Sequence, residues 1–233
     1  MVEAGGSPVP AGDAGPVLDA ELFRRWLVAA AEAVSREAKA LTDLDAAIGD
    51  ADHGANLDRG YAAVRARLTD GSAPAPATPG EVLVTAGRQL VATVGGASGP
   101  LLGTALRRAG RALGDAERVD GARLGEALRA ATTGVREMGG AAPGDKTMVD
   151  ALQPAADAYD EEFARSSSLL AAVRAAATAA RRGAEATGPL RARKGRASYL
   201  GERSAGHLDP GAVSVALLVE ALAAVCERAA GRV

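Results

Sequence analysis

Apolar residues return every three or four positions through nearly the whole chain, and most of them are small. That spacing is the period of one helix face. It recurs in Leu22, Trp26, Ala29 and Ala33, in Leu57, Tyr61, Val64 and Leu68, and in Leu102, Leu106, Ala109 and Leu113. No segment sustains a period of two with β-branched residues, so no sheet is expected. Hydrophobic residues make up 48% of the chain but aromatics only 3%, so the core must come from many helices approaching closely rather than from a few large side chains. The expected fold class is all-α.

Glycine, proline and capping residues divide the pattern into eight helices. The first runs from Asp19 to about Ala40 and the second starts near Gly54. Thr78-Pro79-Gly80-Glu81 has the form of a capping box with proline at the first helical position and opens the third. Gly95 to Pro100 separates the third from the fourth, Asp120 can cap the fifth, and Gly139 to Thr147 precedes the sixth, where Pro154 should sit in or near the first turns or kink the helix. Ser167 and Ser168 can cap the seventh, which runs to about Thr187, and Asp209-Pro210-Gly211 opens the eighth. Short connections favour antiparallel neighbours, an eight-helix up-and-down bundle or barrel. The breaks richest in glycine and polar groups then fall at one end, where the even-numbered helices begin and their positive dipole ends converge.

One of those breaks carries three carboxylates. Asp45, Asp50 and Asp52 lie within eight residues, Gly49 and Gly54 let the backbone turn, and no lysine or arginine occurs from Leu44 to Leu57. Acidic groups this close repel unless a cation lies between them, and Mg²⁺ or Ca²⁺ fits an all-oxygen set. The competing reading is a loop whose aspartates only cap helices. Four glycine-bearing loops beside a carboxylate cluster and several helix N-termini describe a site for a nucleotide diphosphate or triphosphate with Mg²⁺.

Other chemistries fit poorly. The net charge of −2 gives no field to draw nucleic acid or an anionic membrane, and few aromatics are available to stack on bases. No apolar stretch approaches about 18 residues without charge, so no membrane span is expected. Cys226 is the sole cysteine and reads as core, which suits a reducing, cytoplasmic setting. Residues 1–17, rich in Gly, Pro and Ala, read as a disordered tail, leaving 18–233 as a single domain. Gly140 to Thr147 misses the P-loop pattern because Asp145 stands between Gly144 and Lys146 and a helix precedes it. The acidic loop misses the EF-hand, with Gly54 at the third ligand position and Tyr61 where the closing Glu belongs. Ser98 has no histidine placed by sequence to activate it and reads as a phosphate donor group. His53 is placed to touch a ligand, whereas His207 reads as a surface or capping residue. Within the basic run Arg191 to Arg196, mostly solvated, Arg196 is the residue expected to turn toward phosphate.

These residues together resemble a known family, the ADP-binding subunit L of bacterial dihydroxyacetone kinase, together with the nucleotide-binding domain of the single-chain ATP-dependent kinases. The resemblance rests on Gly49-Asp50-Ala51-Asp52-His53-Gly54-Ala55-Asn56, Ser98-Gly99-Pro100-Leu101-Leu102-Gly103, Gly144-Asp145-Lys146-Thr147-Met148, the run from Gly195 to Arg203, and Asp209-Pro210-Gly211-Ala212. It covers the chain from about Asp19 onward. Leu57, Leu102 and Val149 depart from the family pattern by apolar exchanges only.

The resemblance implies an eight-helix antiparallel barrel with the nucleotide at one end. It implies that Asp45, Asp50 and Asp52 hold two Mg²⁺ ions, and that His53, Gly54, Ala55, Asn56, Ala97, Ser98, Gly139, Met148, Arg196, Asp209, Pro210 and Gly211 surround ADP or ATP, with Arg196 catalytic. It further implies transfer of the γ-phosphoryl group to dihydroxyacetone held on a K subunit, with ADP rephosphorylated in place by a phosphohistidine-carrying M subunit of the phosphotransferase system. A homodimer is expected. Two alternatives stand beside this: an ATP-dependent kinase subunit with freely exchanging ATP, and a nucleotide sensor that binds a transcription regulator.

Overall fold

The computed structural model describes residues 15–71 and 74–231; of the expected tail, residues 1–14 lie outside the described residues. Eight α-helices dominate it: α1 (Ala20–Ile48), α2 (His53–Thr69), α3 (Pro79–Thr93), α4 (Ser98–Leu113), α5 (Gly121–Gly139), α6 (Val149–Ser166), α7 (Leu169–Ala186) and α8 (Pro210–Ala230). A 3₁₀ segment, Arg196–Ser204, lies between α7 and α8. Each helix packs on the next and α1 packs on α8, which closes the ring. The all-α class and the up-and-down order therefore hold. The departure is a two-residue antiparallel pair, β1 (Leu18–Asp19) with β2 (Arg118–Val119), in which Leu18 opposes Val119. It is too short to leave an alternating pattern in the sequence.

The caps explain where helices begin. Asp19, Thr78, Asp120, Ser168 and Asp209 each accept a backbone N–H two or three residues into α1, α3, α5, α7 and α8. Glu81 completes its box on the N–H of Ala77 rather than Thr78. Ser167, expected as a second cap for α7, instead closes α6 in a left-handed conformation. Helix α1 overruns its expected end near Ala40 and stops only at Gly49. Nothing between Lys39 and Ile48 breaks a helix, so Asp45 projects from its last turn and not from a loop.

Close approach replaces bulk in the core. A Cβ on Gly54 would lie 1.9 Å from the Ala38 carbonyl, and one on Gly80 would lie 2.2 Å from the Gly114 carbonyl. Pro154 lies inside α6 and cannot donate to the Asp150 carbonyl; a Cβ on Gly183 of α7 would sit 2.1 Å from that oxygen, so the proline step and the glycine interlock. Cys226 is fully buried on α8, as expected of a core thiol. Helix α8 alone among the described helices is long and apolar enough to cross a membrane, with mean hydropathy 1.7, and 72% of that window is buried against its neighbours. It is the most buried helix of the ring.

Candidate functional site

Four connections meet at one end of the ring: α1–α2, α3–α4, α5–α6 and α7–α8. They line one cleft, reached by Asp45, Asp50, Asp52, His53, Asn56, Ala97, Ser98, Gly139, Met148, Arg196, Asp209, Pro210 and Gly211. Thirteen of the fifteen residues singled out from the sequence are thus brought together. Gly54 and Ala55 do not line the cleft: Gly54 is the contact of α2 on α1, and the Ala55 side chain is exposed.

Three side-chain oxygens, one from each of Asp45, Asp50 and Asp52, lie within 4.8 Å of one another. Asp45 is buried, and its Oδ2 accepts the backbone N–H groups of Asp52 (2.9 Å) and His53 (3.1 Å), which fold the loop back over the end of α1. Ala51 makes that reversal with a φ of 62°. Arg196 reaches across from the 3₁₀ segment and pairs with Asp50 at 2.9 Å. The set is all carboxylate oxygen, which fits a hard divalent cation and not zinc.

Helix starts supply the other polarity. Helices α2, α4 and α6 all begin at this cleft, and none has a side-chain cap. Converging helix N-termini form an anion site when their dipoles point inward. At α6 the first donors are already matched, the Val149 N–H by Thr147 Oγ1 (3.1 Å) and those of Asp150 and Leu152 by the Thr147 and Met148 carbonyls (both 3.0 Å), while the Asp150 carboxylate accepts the N–H groups of Gly144 (2.5 Å) and Thr147 (2.8 Å) in the preceding loop.

His53 sits in a hydrogen-bonded line. The Ser214 hydroxyl donates to the Pro210 carbonyl (2.8 Å), so its lone pair accepts Nε2–H of His53 (2.6 Å), and Nδ1 accepts the Ser98 hydroxyl (3.1 Å). Burial holds the His53 pKa below its usual value, against the opposing pull of Asp45 and Asp52, so the neutral ring fits this line. Ser98 therefore spends its hydroxyl hydrogen on His53.

Sequence reasoning missed several residues. Ser214, Thr187, Asp145 and Lys146 are all buried at this end, and Lys194 lines the cleft. Lys146, set aside with the failed P-loop, donates through Nζ to the carbonyls of Thr187 (2.8 Å), Gly188 (3.4 Å) and His207. Burial lowers its pKa, with Asp209 and Asp150 opposing. Asp209, the α8 cap, is pushed up to about 7, mainly by burial, with Asp150 and Asp45 adding to the effect and the Ala212 N–H and Lys146 opposing it. His207 is exposed, as expected, and contributes its carbonyl.

Residues 47–224 match the DAK2 domain. The chain belongs to that family. It is 42% identical to the ADP-binding subunit DhaL of the PEP-dependent dihydroxyacetone kinase of Escherichia coli K12, over 85% of this chain and 93% of that one. It is also 40% identical to the D-erythrulose kinase of Mycolicibacterium smegmatis, over 88% of this chain but 35% of that one. Among solved structures, the dihydroxyacetone kinase of C. freundii in complex with AMP-PNP and Mg²⁺ aligns with a TM-score of 0.67 and 25% identity, covering 96% of this chain. This DAK2 domain spans 37% of that kinase's length. The family is one of kinases, and this DAK2 domain is a kinase subunit of the L type.

Proposed function

We propose that this subunit holds ADP or ATP with two Mg²⁺ ions and passes the γ-phosphoryl group to dihydroxyacetone held on a partner K subunit, ADP being rephosphorylated in place by an M subunit of the phosphotransferase system. The observation that carries this reading is the meeting of three uncapped helix N-termini with three converging carboxylates in one cleft. Identity to a free-standing ADP-binding subunit over nearly its full length supports it.

Asp45, Asp50 and Asp52 would hold the cations, which when bound neutralise and bridge phosphate oxygens. The N-termini of α2 and α4 would orient the phosphates through backbone N–H groups, and the dipole of α6 would add positive potential. Arg196, on the rim, pairs with Asp50 and is placed to stabilise charge on a terminal phosphate. His53 holds the first turns of α2, α4 and α8 in register through Ser98 and Ser214. Asn56 is buried against Gly95 of the α3–α4 loop, whose Cβ position lies 3.2 Å from its amide, and its Oδ1 accepts an N–H of Arg59 (2.7 Å). This chain needs no covalent chemistry of its own. Positioning and charge suffice, and the acceptor's own activation falls to the partner. A cytoplasmic homodimer remains part of the proposal.

Mass spectrometry of the freshly purified protein tests the reading. ADP in near one-to-one ratio, exchanging slowly with added nucleotide, is the expected result. Protein that purifies free of nucleotide and binds none with Mg²⁺ contradicts it. Rapid exchange, with repeated turnover from ATP alone, would instead favour an ATP-dependent kinase subunit, a reading supported by the likeness to the M. smegmatis D-erythrulose kinase.

A further inference from the structure

Lys146 is almost fully buried, yet its ammonium touches no carboxylate at hydrogen-bond distance among the described residues. Its three hydrogens are matched by three carbonyls, those of Thr187, Gly188 and His207. These carbonyls lie at the two ends of one excursion, residues 187–209, between α7 and α8. The ends also bond each other: the Gly206 N–H donates to the Gly188 carbonyl (2.8 Å), and the Asp209 N–H to Thr187 Oγ1 (2.9 Å). The segment is an Ω-shaped loop with a closed neck, and a cation from a different connection is driven into that neck. Thr187 and Gly188 follow the C-terminal end of α7, where a positive charge is favoured.

The rest of the loop leans on the site. The Arg193 N–H donates to the Asp145 carbonyl (3.0 Å), and Ala192, Ala197 and Leu200 pack with Ile48 at the end of α1. The Ser204 hydroxyl donates to the Gly201 carbonyl (2.6 Å) and accepts the Ala192 N–H (2.9 Å). Arg196 is carried on this framework toward Asp50. Lys146 itself adopts a φ of 62°, a left-handed conformation that disfavours a non-glycine residue. The three carbonyl contacts hold it there.

The geometry assigns Lys146 as the positioning residue for Arg196: it acts as a clamp on the neck of the 187–209 loop, not as a phosphate-binding lysine, although its place in Gly144-Asp145-Lys146-Thr147 suggests the latter. The assignment of Arg196 to the phosphates rests on the function proposed above; the clamp itself does not.

Lys146→Met keeps the apolar stem and removes the donors, and Thr187→Val cuts the neck from its other side without touching the lysine. In nucleotide-free protein, both variants should raise amide hydrogen exchange across 188–208 by about tenfold or more while leaving α2 to α5 unchanged. If Lys146 only contacted ligand, Lys146→Met would leave ligand-free exchange as in the wild type, and the proposal would fail. The second arm is a double-mutant cycle on ADP binding with Mg²⁺. Acting through Arg196, Lys146→Met should weaken binding in the wild-type background and add little in Arg196→Ala. An equal loss in both backgrounds overturns the assignment. Absence of ADP binding in the wild type would overturn the nucleotide reading instead and leave the exchange result to judge the clamp.

Discussion

The two ends of the barrel begin their helices in different ways. At the end away from the cleft, α1, α3, α5 and α7 each start on a side-chain cap, Asp19, Thr78, Asp120 or Ser168. At the cleft, α2, α4 and α6 start with none, and only α8 has one, Asp209. Buried polar residues divide in the same way. Asp45, His53, Asn56, Asp145, Lys146, Thr187, Ser204 and Ser214 belong to the cleft end, against Thr78 at the other and Thr132 along α5. One end satisfies its backbone locally and is finished as a fold. The other leaves α2 and α4 without side-chain caps and holds its loops by bonds between distant segments, an arrangement suited to an anionic ligand.

Substitutions at the two ends should therefore separate binding from stability. Asp45→Ala removes a carboxylate from the cluster and strips the partner from two backbone N–H groups. We expect ADP affinity with Mg²⁺ to fall about a hundredfold or more, close to 3 kcal/mol, read by titration calorimetry. An unchanged affinity would detach the cluster from the site. Gly80→Ala, at the far end, sets a Cβ against the Gly114 carbonyl. It should cost roughly 2 kcal/mol in urea unfolding and leave ADP affinity unaltered. A loss of affinity there would show that the ends are coupled.

What was legible in the sequence follows the same division. Thr78-Pro79, Asp120, Ser168 and Asp209-Pro210 announce helix starts because the cap and its target are three residues apart. The acidic triad announces itself because its members are neighbours. Lys146 is not legible in the sequence because its partners, Thr187, Gly188 and His207, are 41 to 61 residues away and are backbone atoms, which leave no side-chain signature. Ser214 is one turn inside an apolar helix and looks like core until α2 is placed against it. The true end of α1 is hidden because periodicity weakens after Ala40, although only Gly49 stops the helix.

Two smaller effects sharpen the contrast. Asp209 is a cap at the cleft end whose pKa burial raises from 3.8 to about 7. Its contribution to stability is complete below about pH 4 and is lost as pH rises through 7, because the folded state holds a proton that the unfolded chain releases. Asp209→Asn keeps an acceptor for the Ala212 N–H without the charge. In protein free of metal and nucleotide, the variant should gain stability relative to wild type between pH 5 and pH 8; the same difference at both values would be evidence against a buried charge. Thr78→Ala, a cap at the far end, should cost about 1 kcal/mol, a fall in Tm of about 2–4 °C, with no pH dependence.

The central claim is that the uncapped, acidic end is a joint nucleotide and Mg²⁺ site, and calorimetry of ADP into nucleotide-free protein with and without Mg²⁺ tests it most directly. Tight one-to-one binding that requires Mg²⁺, and is lost in Asp50→Ala, is the predicted result. Binding of equal strength without Mg²⁺, or binding indifferent to Asp50, would contradict the account.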